Sequence, residues 1–336
     1  MDSSTTAPPP PPTLRIGFQG TFGAYSESAL VDFYHQVHQL VPVDDDTTTG
    51  SVRGRLQSVA FTEFSELFDA LEAGDIDRGF VPVENTRSGS FPEIHAQLRA
   101  RAVHVTAEYV VRERHCLVAH PGVTLADLVE IRSHPAVLDQ CRGFLDRASA
   151  AVAATGENKA LLITQAMDTA ASAEYVAADP GSHRYVAAIA SAEAARRYGL
   201  VVLVNAIQVD SPTAQTTTRY FELSAERPTS PPPRHASPKT LLALTLKNTA
   251  GTLFKALSCF ALRDLNVTKL ESRPLGNQLH PWELVFYVTV EAAVNDAAFT
   301  RAIVNLEEYV TSIKVLGCFA STQQPNRGDL SRVYGV

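Results

Sequence analysis

The stretch LRIGFQGTFGAYSESAL, residues 14–30, indicates the fold class of this chain. Leu14–Phe18 is a short apolar run that predicts a buried strand, residues 19–23 form a glycine-rich turn, and a helix is expected from Ala24 to about His38. This order is typical of an α/β unit, and the backbone N–H groups at such a helix start suit an anion. The three-glycine spacing of a dinucleotide-binding turn is absent, so no nucleotide cofactor is predicted here.

Strands and helices keep alternating to about residue 200, which predicts a mostly parallel sheet covered by helices. The strand Phe80–Val83 is followed by Glu84 and Asn85, at the end where open α/β sheets place ligand sites. The polar, acidic segment Val43–Gln57 is predicted to be a surface insertion. Further predicted strands are 109–111, 116–119, 131–133, 152–154 and 186–189, and further predicted helices are 64–71, 125–129, 137–148, 164–178 and 192–198.

The proline-rich segment Ala225–Pro238 predicts a linker, after which the pattern changes. Strands are then expected at 240–246, 266–273, 283–290 and 312–318, with helices at 251–264 and 296–308. This βαββαβ order is that of a ferredoxin-like α+β unit. We therefore predict a disordered proline-rich tail at 1–13, an α/β domain at 14–224, a linker at 225–238, an α+β domain at 239–322 and a C-terminal tail at 323–336.

The composition narrows the classes of protein to consider. The chain has 336 residues, a net charge of −7 and no Lys/Arg runs, which argues against a nucleic-acid partner. No apolar run could span a bilayer, and the N-terminus lacks the features of a secretory signal or transit peptide, so a cytoplasmic protein is expected. The four cysteines are scattered and predict reduced core thiols, and no metal-ligand spacing appears, so neither metal nor cofactor is expected.

The segment Thr216–Tyr220 can carry chemistry, since a hydroxyl donates a proton and a guanidinium binds a carboxylate through two parallel hydrogen bonds. Gly23–Glu27 and Pro82–Thr86 precede it, and Gly251–Leu253 and Glu271–Pro274 follow. Together, in this order, these motifs resemble a prephenate dehydratase, or its arogenate-using relatives, with a C-terminal ACT regulatory domain. The resemblance covers most of the chain, from residue 14 to residue 319.

The resemblance implies a two-lobed catalytic domain, like a periplasmic binding protein, with substrate in the cleft and chain crossings near Ala100 and Asn205. The reaction would remove a ring hydroxyl and CO2 together. Thr218 would protonate the leaving hydroxyl and Arg219 would bind a substrate carboxylate. The family carries Asn-x-Thr-Arg-Phe here, so Thr216 replaces an amide that could contact substrate. Substrate-binding roles are implied for Ser26, Glu84, Asn85, Thr86, Gly89, Ser133, Gln140, Asp168, Thr169 and Tyr220.

Each of these residues also has an ordinary structural interpretation. A lone Glu next to Asn usually makes structural hydrogen bonds, and Ser26 lies in a plausible helix-cap region. His134, which precedes a proline, is a tempting general base but is more often a turn residue. Gly89 could permit close approach of the backbone.

In the C-terminal part, residues 261–274 give the longest match to the family, ending in Glu-Ser-Arg-Pro. The resemblance implies that this motif and the preceding strand–helix junction meet across a homodimer or homotetramer and bind phenylalanine. The alternative is a plain helix–strand packing edge. The implied effector residues are Asn248, Ala250, Gly251, Thr252, Leu253, Glu271, Ser272, Arg273 and Pro274.

Three functions stay open from the sequence. The first is dehydration of prephenate or arogenate, which differ only in a keto or an amino group. The second is a non-catalytic two-lobed binding protein that senses an amino acid. The third is an enzyme whose altered motif, with Thr216 and Tyr220, decarboxylates without dehydrating.

Overall fold

The computed structural model describes residues 13–42, 54–154, 160–208, 216–232, 236–276 and 282–323. Nearly all of the predicted N-terminal tail, residues 43–53 of the predicted insertion and all but the first residue of the C-terminal tail lie outside the described residues. Parts of the predicted linker, at 233–235, also lie outside them.

Sixteen strands and nine α-helices are defined within the described ranges. The strands are β1 (Thr13–Gln19), β2 (Leu40–Pro42), β3 (Gly54–Phe61), β4 (Arg78–Asn85), β5 (Gly89–Ser90), β6 (His104–Arg112), β7 (Cys116–Ala119), β8 (Glu130–Ser133), β9 (Leu162–Gln165), β10 (Val186–Ala190), β11 (Val201–Val204), β12 (Thr217–Ser224), β13 (Pro238–Leu246), β14 (Val267–Pro274), β15 (Leu284–Val290) and β16 (Val310–Gln323). The α-helices are α1 (Tyr25–Phe33), α2 (Phe64–Ala73), α3 (Pro92–Ala100), α4 (Pro135–Gln140), α5 (Arg142–Ala153), α6 (Thr169–Ala178), α7 (Ala192–Arg197), α8 (Thr252–Ala261) and α9 (Ala297–Leu306).

The described chain divides into two compact units. The first unit comprises the described parts of 13–67, 75–78 and 113–208, and the second comprises 68–74, 79–112 and the described residues from 216 onward. The predicted catalytic residues Thr218 and Arg219 therefore share a unit with the predicted effector residues.

The first unit contains parallel strands and a five-stranded mixed sheet. Strand β3 lies between β1 and β2 and is parallel to both. The other sheet has the order β11-β7-β10-β8-β9, in which β8 is parallel to β9 and β10, while β7 is antiparallel to β10 and β11. The expected mostly parallel sheet is therefore only partly right, because apolar runs do not reveal strand direction.

Alternating side chains of the five-stranded sheet bury both of its faces. Leu117 and Ile189 pack with Leu145 of α5 on one face, whereas Val118 and Ala188 pack on the other face against α6 and α7. Successive strand residues point to opposite sides, so one apolar strand can contribute to two cores. The expectation that helices cover the sheet is confirmed for this five-stranded sheet.

The second unit is built on one run of strands in the order β14-β15-β13-β16-β6-β12-β4, with β5 added to β4. The segment from β13 to β16 follows the predicted βαββαβ order, and α8 and α9 supply Phe260, Phe299 and Leu306 to its core. Its strands pair antiparallel in the ferredoxin-like arrangement.

Strand β16 also pairs in parallel with β6, so the ferredoxin-like sheet continues into β6, β12 and β4. Gly317 sits at this junction opposite Val105. A Cβ at Gly317 would lie 2.3 Å from the Val105 carbonyl oxygen, so only glycine permits this approach of the two strands. The pairing joins two segments that the proline-rich linker separates in sequence.

Several predicted boundaries were wrong. Residues 152–154 lie at the end of α5 and just beyond it, not in a strand. Leu145, Ala148 and Val152 are buried with helical spacing, and a three-residue apolar run cannot distinguish the two structures. Residues 54–57, assigned to the insertion, belong to β3, and residues 164–168, assigned to a helix, precede α6 because residues 162–165 form β9.

The four cysteines are free thiols, three of them buried. Burial raises the pKa of Cys116 to about 11 and that of Cys141 to about 12, which keeps both thiols protonated near neutral pH. Among the described helices, none has the length and apolar character needed to cross a membrane. The described residues also contain no cluster of three or more His, Cys, Asp or Glu side chains that could hold a metal ion.

Candidate active site

Strand β12, which carries the Thr-Arg pair, lies between β4 and β6. Its register places Thr218 opposite Asn85 and Arg219 opposite Glu84. Because neighbouring strand residues point to opposite faces, Thr218 and Asn85 lie on one face of the sheet, and Arg219 and Glu84 lie on the other. The two predicted catalytic side chains therefore occupy different environments.

On the first face, Asn85 Nδ2 donates a hydrogen bond to Thr218 Oγ1 at 2.7 Å. Asn85 Oδ1 accepts from the backbone N–H groups of Arg87 and Ser88 at 2.9 and 3.1 Å, which fixes the amide orientation. The Thr218 oxygen therefore accepts this hydrogen bond. Accepting one hydrogen bond polarises a hydroxyl and strengthens the bond that it donates.

Three predicted residues near this pair, namely Thr86, Gly89 and Tyr220, have roles in the local structure. Thr86 Oγ1 accepts from the Thr217 backbone N–H at 3.0 Å, and the Thr86 N–H donates to the Thr217 carbonyl at 3.0 Å. Gly89 has a φ of +82° with open space where a Cβ would stand, so the turn requires glycine for its backbone angle and not for close approach. The buried Tyr220 ring stacks on Phe80 at 5.0 Å between centroids.

On the second face, Arg219 lies between two carboxylates. Its Nη1 is 3.0 Å from Glu84 Oε2, and its Nε is 3.9 Å from Glu108 Oε2, an ion-pair distance without a hydrogen bond. The Glu108 carboxylate is fully buried and also accepts from Lys239 Nζ at 2.9 Å. A buried carboxylate is stable only with such cationic partners.

The first unit holds a hydrogen-bonded triad that the sequence did not reveal. Tyr25 Oη lies 2.5 Å from His115 Nδ1, and His115 Nε2 lies 2.9 Å from Gln140 Oε1. Because Gln140 Oε1 can only accept, Nε2 carries the ring proton and Nδ1 accepts from Tyr25. Burial lowers the pKa of His115, although the bond to Gln140 opposes that effect. The only sequence signal for His115 is its place directly before the buried strand β7.

The other predicted residues of the first unit lie in separate elements. Ser26 is in the first turn of α1, and Thr169 starts α6. Ser133 is fully buried and its hydroxyl donates to the Ile189 carbonyl at 2.7 Å. Asp168 Oδ1 accepts from the Ala171 N–H at 2.6 Å, so the start of α6 is capped by the protein's own carboxylate. His134 similarly caps α4 through its Nδ1, which supports its turn interpretation.

The predicted effector residues occupy two parts of the ferredoxin-like segment. Asn248, Ala250 and Gly251 are exposed in the loop between β13 and α8, where Gly251 has a φ of +76°. Thr252 is buried and Leu253 is exposed in the first turn of α8. The four residues of the other motif end β14.

Within β14, the Glu271 carboxylate contacts three polar side chains. Arg273 Nη2 lies 2.6 Å from its Oε1, and Lys269 Nζ and the Ser90 hydroxyl lie 3.4 and 2.6 Å from its Oε2. Burial alone would raise the pKa of Glu271, but the hydrogen bonds from Ser90 and Arg273 and the charge of Lys269 lower it to about 2. Glu271 is therefore a carboxylate at any physiological pH.

The fold and these contacts define a mixed α/β protein with a ferredoxin-like C-terminal segment and a threonine–asparagine pair between central strands. Residues 16–228 match the family model for prephenate dehydratase. The chain belongs to the prephenate dehydratase family.

Among curated relatives, the chain is 33% identical to arogenate dehydratase/prephenate dehydratase 2 of Arabidopsis thaliana, covering 91% of this chain and 72% of that protein. It is also 33% identical to arogenate dehydratase 2 of Petunia hybrida, covering 92% and 72%.

Two solved structures resemble most of the chain. Prephenate dehydratase from Arthrobacter aurescens, solved in complex with L-Phe, gives a TM-score of 0.70 at 26% identity, covering 91% of this chain and 90% of that one. GqqA, described as a novel type of quorum quenching acylase, gives a TM-score of 0.73 at 28% identity, covering 92% and 98%.

Proposed function

We propose that this chain catalyses the decarboxylating dehydration of prephenate to phenylpyruvate, in the biosynthesis of phenylalanine. Arogenate, which would give phenylalanine directly, is the alternative substrate. The observation that carries the proposal is the Asn85–Thr218 hydrogen bond at 2.7 Å, within a chain whose residues 16–228 match the dehydratase family.

The reaction requires few functional groups from the protein. Breaking the bond between the ring and its carboxylate releases CO2, the electron pair enters the ring, and the hydroxyl leaves as water after taking one proton. Aromatisation drives the reaction, so the enzyme must orient the substrate and supply that proton. The Thr218 O–H is the proposed donor, polarised by the amide of Asn85. A threonine is a weak acid, so it serves as a positioned donor or relay.

Arg219 has a different proposed role from the one its motif implies. Its guanidinium lies between Glu84 and Glu108 on the face opposite Thr218, which supports a positioning role for β4 and β12 instead of substrate carboxylate binding. The Tyr220 ring stacks on Phe80 and the Ser133 hydroxyl donates to the Ile189 carbonyl, so we assign both residues structural roles beside the site.

Ser26, Gln140 and Thr169 remain proposed substrate contacts, with Asp168 as the cap of its helix. Gln140 Oε1 lies 2.9 Å from His115 Nε2, and this hydrogen bond orients the Gln140 amide. Glu84, Thr86 and Gly89 shape the β4–β5 turn that orients Asn85.

The C-terminal segment is proposed to be an ACT domain that binds phenylalanine and pairs with a second copy. Its βαββαβ order and the L-Phe complex of the Arthrobacter relative support this role. Large apolar side chains are also exposed there, including Phe254 at 76%. A homodimer or homotetramer would cover them.

The test is an assay of the full-length protein with prephenate and with arogenate, with and without phenylalanine, and with products identified by mass. Phenylpyruvate or phenylalanine formation, lost in Thr218→Val and retained in Thr218→Ser, supports the proposal. A decarboxylated product that keeps the hydroxyl would indicate decarboxylation alone, and phenylalanine binding without turnover would indicate a sensor protein.

The likeness to GqqA raises acylase activity as a second candidate. An N-acyl amide substrate is therefore included in the same assay. Turnover of that amide without turnover of prephenate or arogenate would replace the proposed function.

A further inference from the structure

We infer that Lys269 and Lys239, both from the ferredoxin-like segment, are positioning residues for the Thr218 site, and that ligand binding at Glu271 and Arg273 reaches that site through a chain of ion pairs. The inference rests on the proposed function, and it specifies the route by which the C-terminal segment regulates the reaction.

The ion pairs run from the predicted effector motif to strand β12. Arg273 pairs with Glu271 at 2.6 Å, and Glu271 pairs with Lys269 at 3.4 Å. Lys269 pairs in turn with Glu84 at 3.2 Å, and Glu84 pairs with Arg219 at 3.0 Å. Five residues of alternating charge thus connect β14 with β4 and β12, all inside the second unit.

A second lysine supports the other side of Arg219. Lys239 Nζ lies 2.9 and 3.3 Å from the two oxygens of Glu108, whose Oε2 faces Arg219 Nε at 3.9 Å. Lys239 belongs to β13, so the ferredoxin-like segment provides a cation to each carboxylate that holds Arg219.

Within this series of ion pairs, the Glu84 carboxylate connects β14 with β12. Its Oε2 contacts both Arg219 Nη1 and Lys269 Nζ, so the two cations share one oxygen. A change in the position of Lys269 must therefore alter how Glu84 holds Arg219. Asn85 follows Glu84, and Thr218 precedes Arg219, so this change acts directly beside the Asn85–Thr218 hydrogen bond.

Ser90 links the Lys269–Glu271 ion pair to strand β4. Its hydroxyl donates to Glu271 Oε2 at 2.6 Å and accepts from Lys269 Nζ at 3.0 Å, and its backbone pairs with Glu84. The side chains of Lys269 and Glu271 are only 15% and 13% exposed, so solvent and salt screen their charges weakly. A ligand that displaces one ion-pair partner therefore changes the electrostatic interactions of the next residue in the series.

An amino acid carries both charges needed to compete with the ion pairs that Glu271 makes. Its ammonium group would compete with Lys269 for Glu271, and its carboxylate would compete with Glu271 for Arg273. Lys269 released from Glu271 would bind Glu84 more closely and weaken the Glu84–Arg219 pair. By linkage, the same contacts make phenylalanine affinity depend on the state of the Thr218 site.

The test compares full-length Lys269→Met with Lys269→Arg, which keeps the charge. A second control is Lys255→Met, which removes a charge from an exposed helix position that takes no part in the series of ion pairs. For each, kcat/KM for prephenate is measured without and with saturating phenylalanine, and phenylalanine binding is measured by calorimetry. We expect Lys269→Met to bind phenylalanine yet show a ratio of the two kcat/KM values within about twofold of one. Lys269→Arg and Lys255→Met should keep the wild-type ratio.

A folded Lys269→Met variant with the wild-type ratio would overturn the inference while the proposed function stands. A wild type that neither turns over prephenate or arogenate nor binds phenylalanine would overturn the proposed function, and the inference with it. Should Lys269→Met fail to fold, Ser90→Ala provides the same comparison without removing a charge. Its ratio should move toward one, and a wild-type ratio in Ser90→Ala would count against the ion-pair route.

Discussion

Thr218 and Arg219 are adjacent in the chain but make contacts on opposite faces of one strand. Thr218 accepts a hydrogen bond from Asn85 at 2.7 Å, whereas Arg219 pairs with Glu84 at 3.0 Å. The period of the β-strand thus separates the two side chains of the Thr-Arg motif, one hydrogen-bonded to an amide and the other paired with carboxylates.

Removal of the Thr218 hydroxyl should abolish most of the activity. We expect Thr218→Val to lower kcat by about 100-fold or more, the scale of a lost general acid, with little change in KM. Thr218→Ser should retain most of kcat because it keeps the hydroxyl. Thr217→Val, on the opposite face of β12, is the control and should stay within a few-fold of wild type in steady-state kinetics. Near wild-type kcat in Thr218→Val would exclude Thr218 as donor.

Arg219→Lys distinguishes the two roles considered for this residue. Lysine keeps the charge but cannot reach Glu84 and Glu108 together as the guanidinium does. We expect a lower kcat and a loss of about 1–3 kcal/mol in the free energy of unfolding, with KM almost unchanged. Urea titration and steady-state kinetics measure these quantities. A large rise in KM at unchanged stability would instead restore Arg219 as the ligand of a substrate carboxylate.

Acid should weaken the fold partly through Glu271. Its pKa is lowered to about 2 from 4.5, so its carboxylate stabilises the folded chain above about pH 4.5. That contribution is lost progressively as the pH falls from 4.5 toward 2. Unfolding midpoints in urea between pH 6 and 2.5 should therefore fall less steeply for Glu271→Gln than for wild type. Parallel curves for the two proteins would contradict the lowered pKa.

His115 should act through the orientation of its two partners. In His115→Asn, the shorter side chain can still accept from Tyr25 but no longer reaches Gln140. In His115→Gln, the side chain reaches Gln140 but loses the bond to Tyr25. We expect the Asn variant to lose about 10-fold in kcat/KM, and the Gln variant less, because Gln140 is the proposed substrate contact. Tyr25→Phe is the matched control for the loss of the other bond. Equal losses in both histidine variants would point to packing instead.

The exposed apolar surface of the C-terminal segment should mediate assembly. Phe254→Glu is expected to shift the full-length protein toward monomer in light scattering and to weaken phenylalanine binding, because a charge in an apolar interface lacks a partner. Tyr185→Glu, at an exposed position of the first unit, is the control and should not change the mass. A monomeric wild type at low micromolar concentration would rule out an effector site shared between copies.

Local sequence patterns predicted a large part of the fold. The strand Leu14–Phe18, the strand at 80–83 and the βαββαβ order after the linker were all confirmed, since each follows from periodicity and from turn residues nearby. The motif residues Asn85 and Thr218 each lie at a strand end in a recognisable short segment, and their roles in the reaction stay predictions. The boundary errors fell where short apolar runs suit both helix and strand, as at Val152.

The contacts that turn these elements into a site were decided by the tertiary structure. The triad brings His115 to Tyr25, 90 residues away, and to Gln140, and the ion pairs bring Lys239 to Glu108 across 131 residues. The pairing of β16 with β6 likewise depends on a glycine that admits a distant strand. Periodicity reports which face of an element is apolar, but it carries no information on which remote element will pack there. A charged residue such as Lys269 therefore looks like an ordinary surface residue until the sheet is assembled.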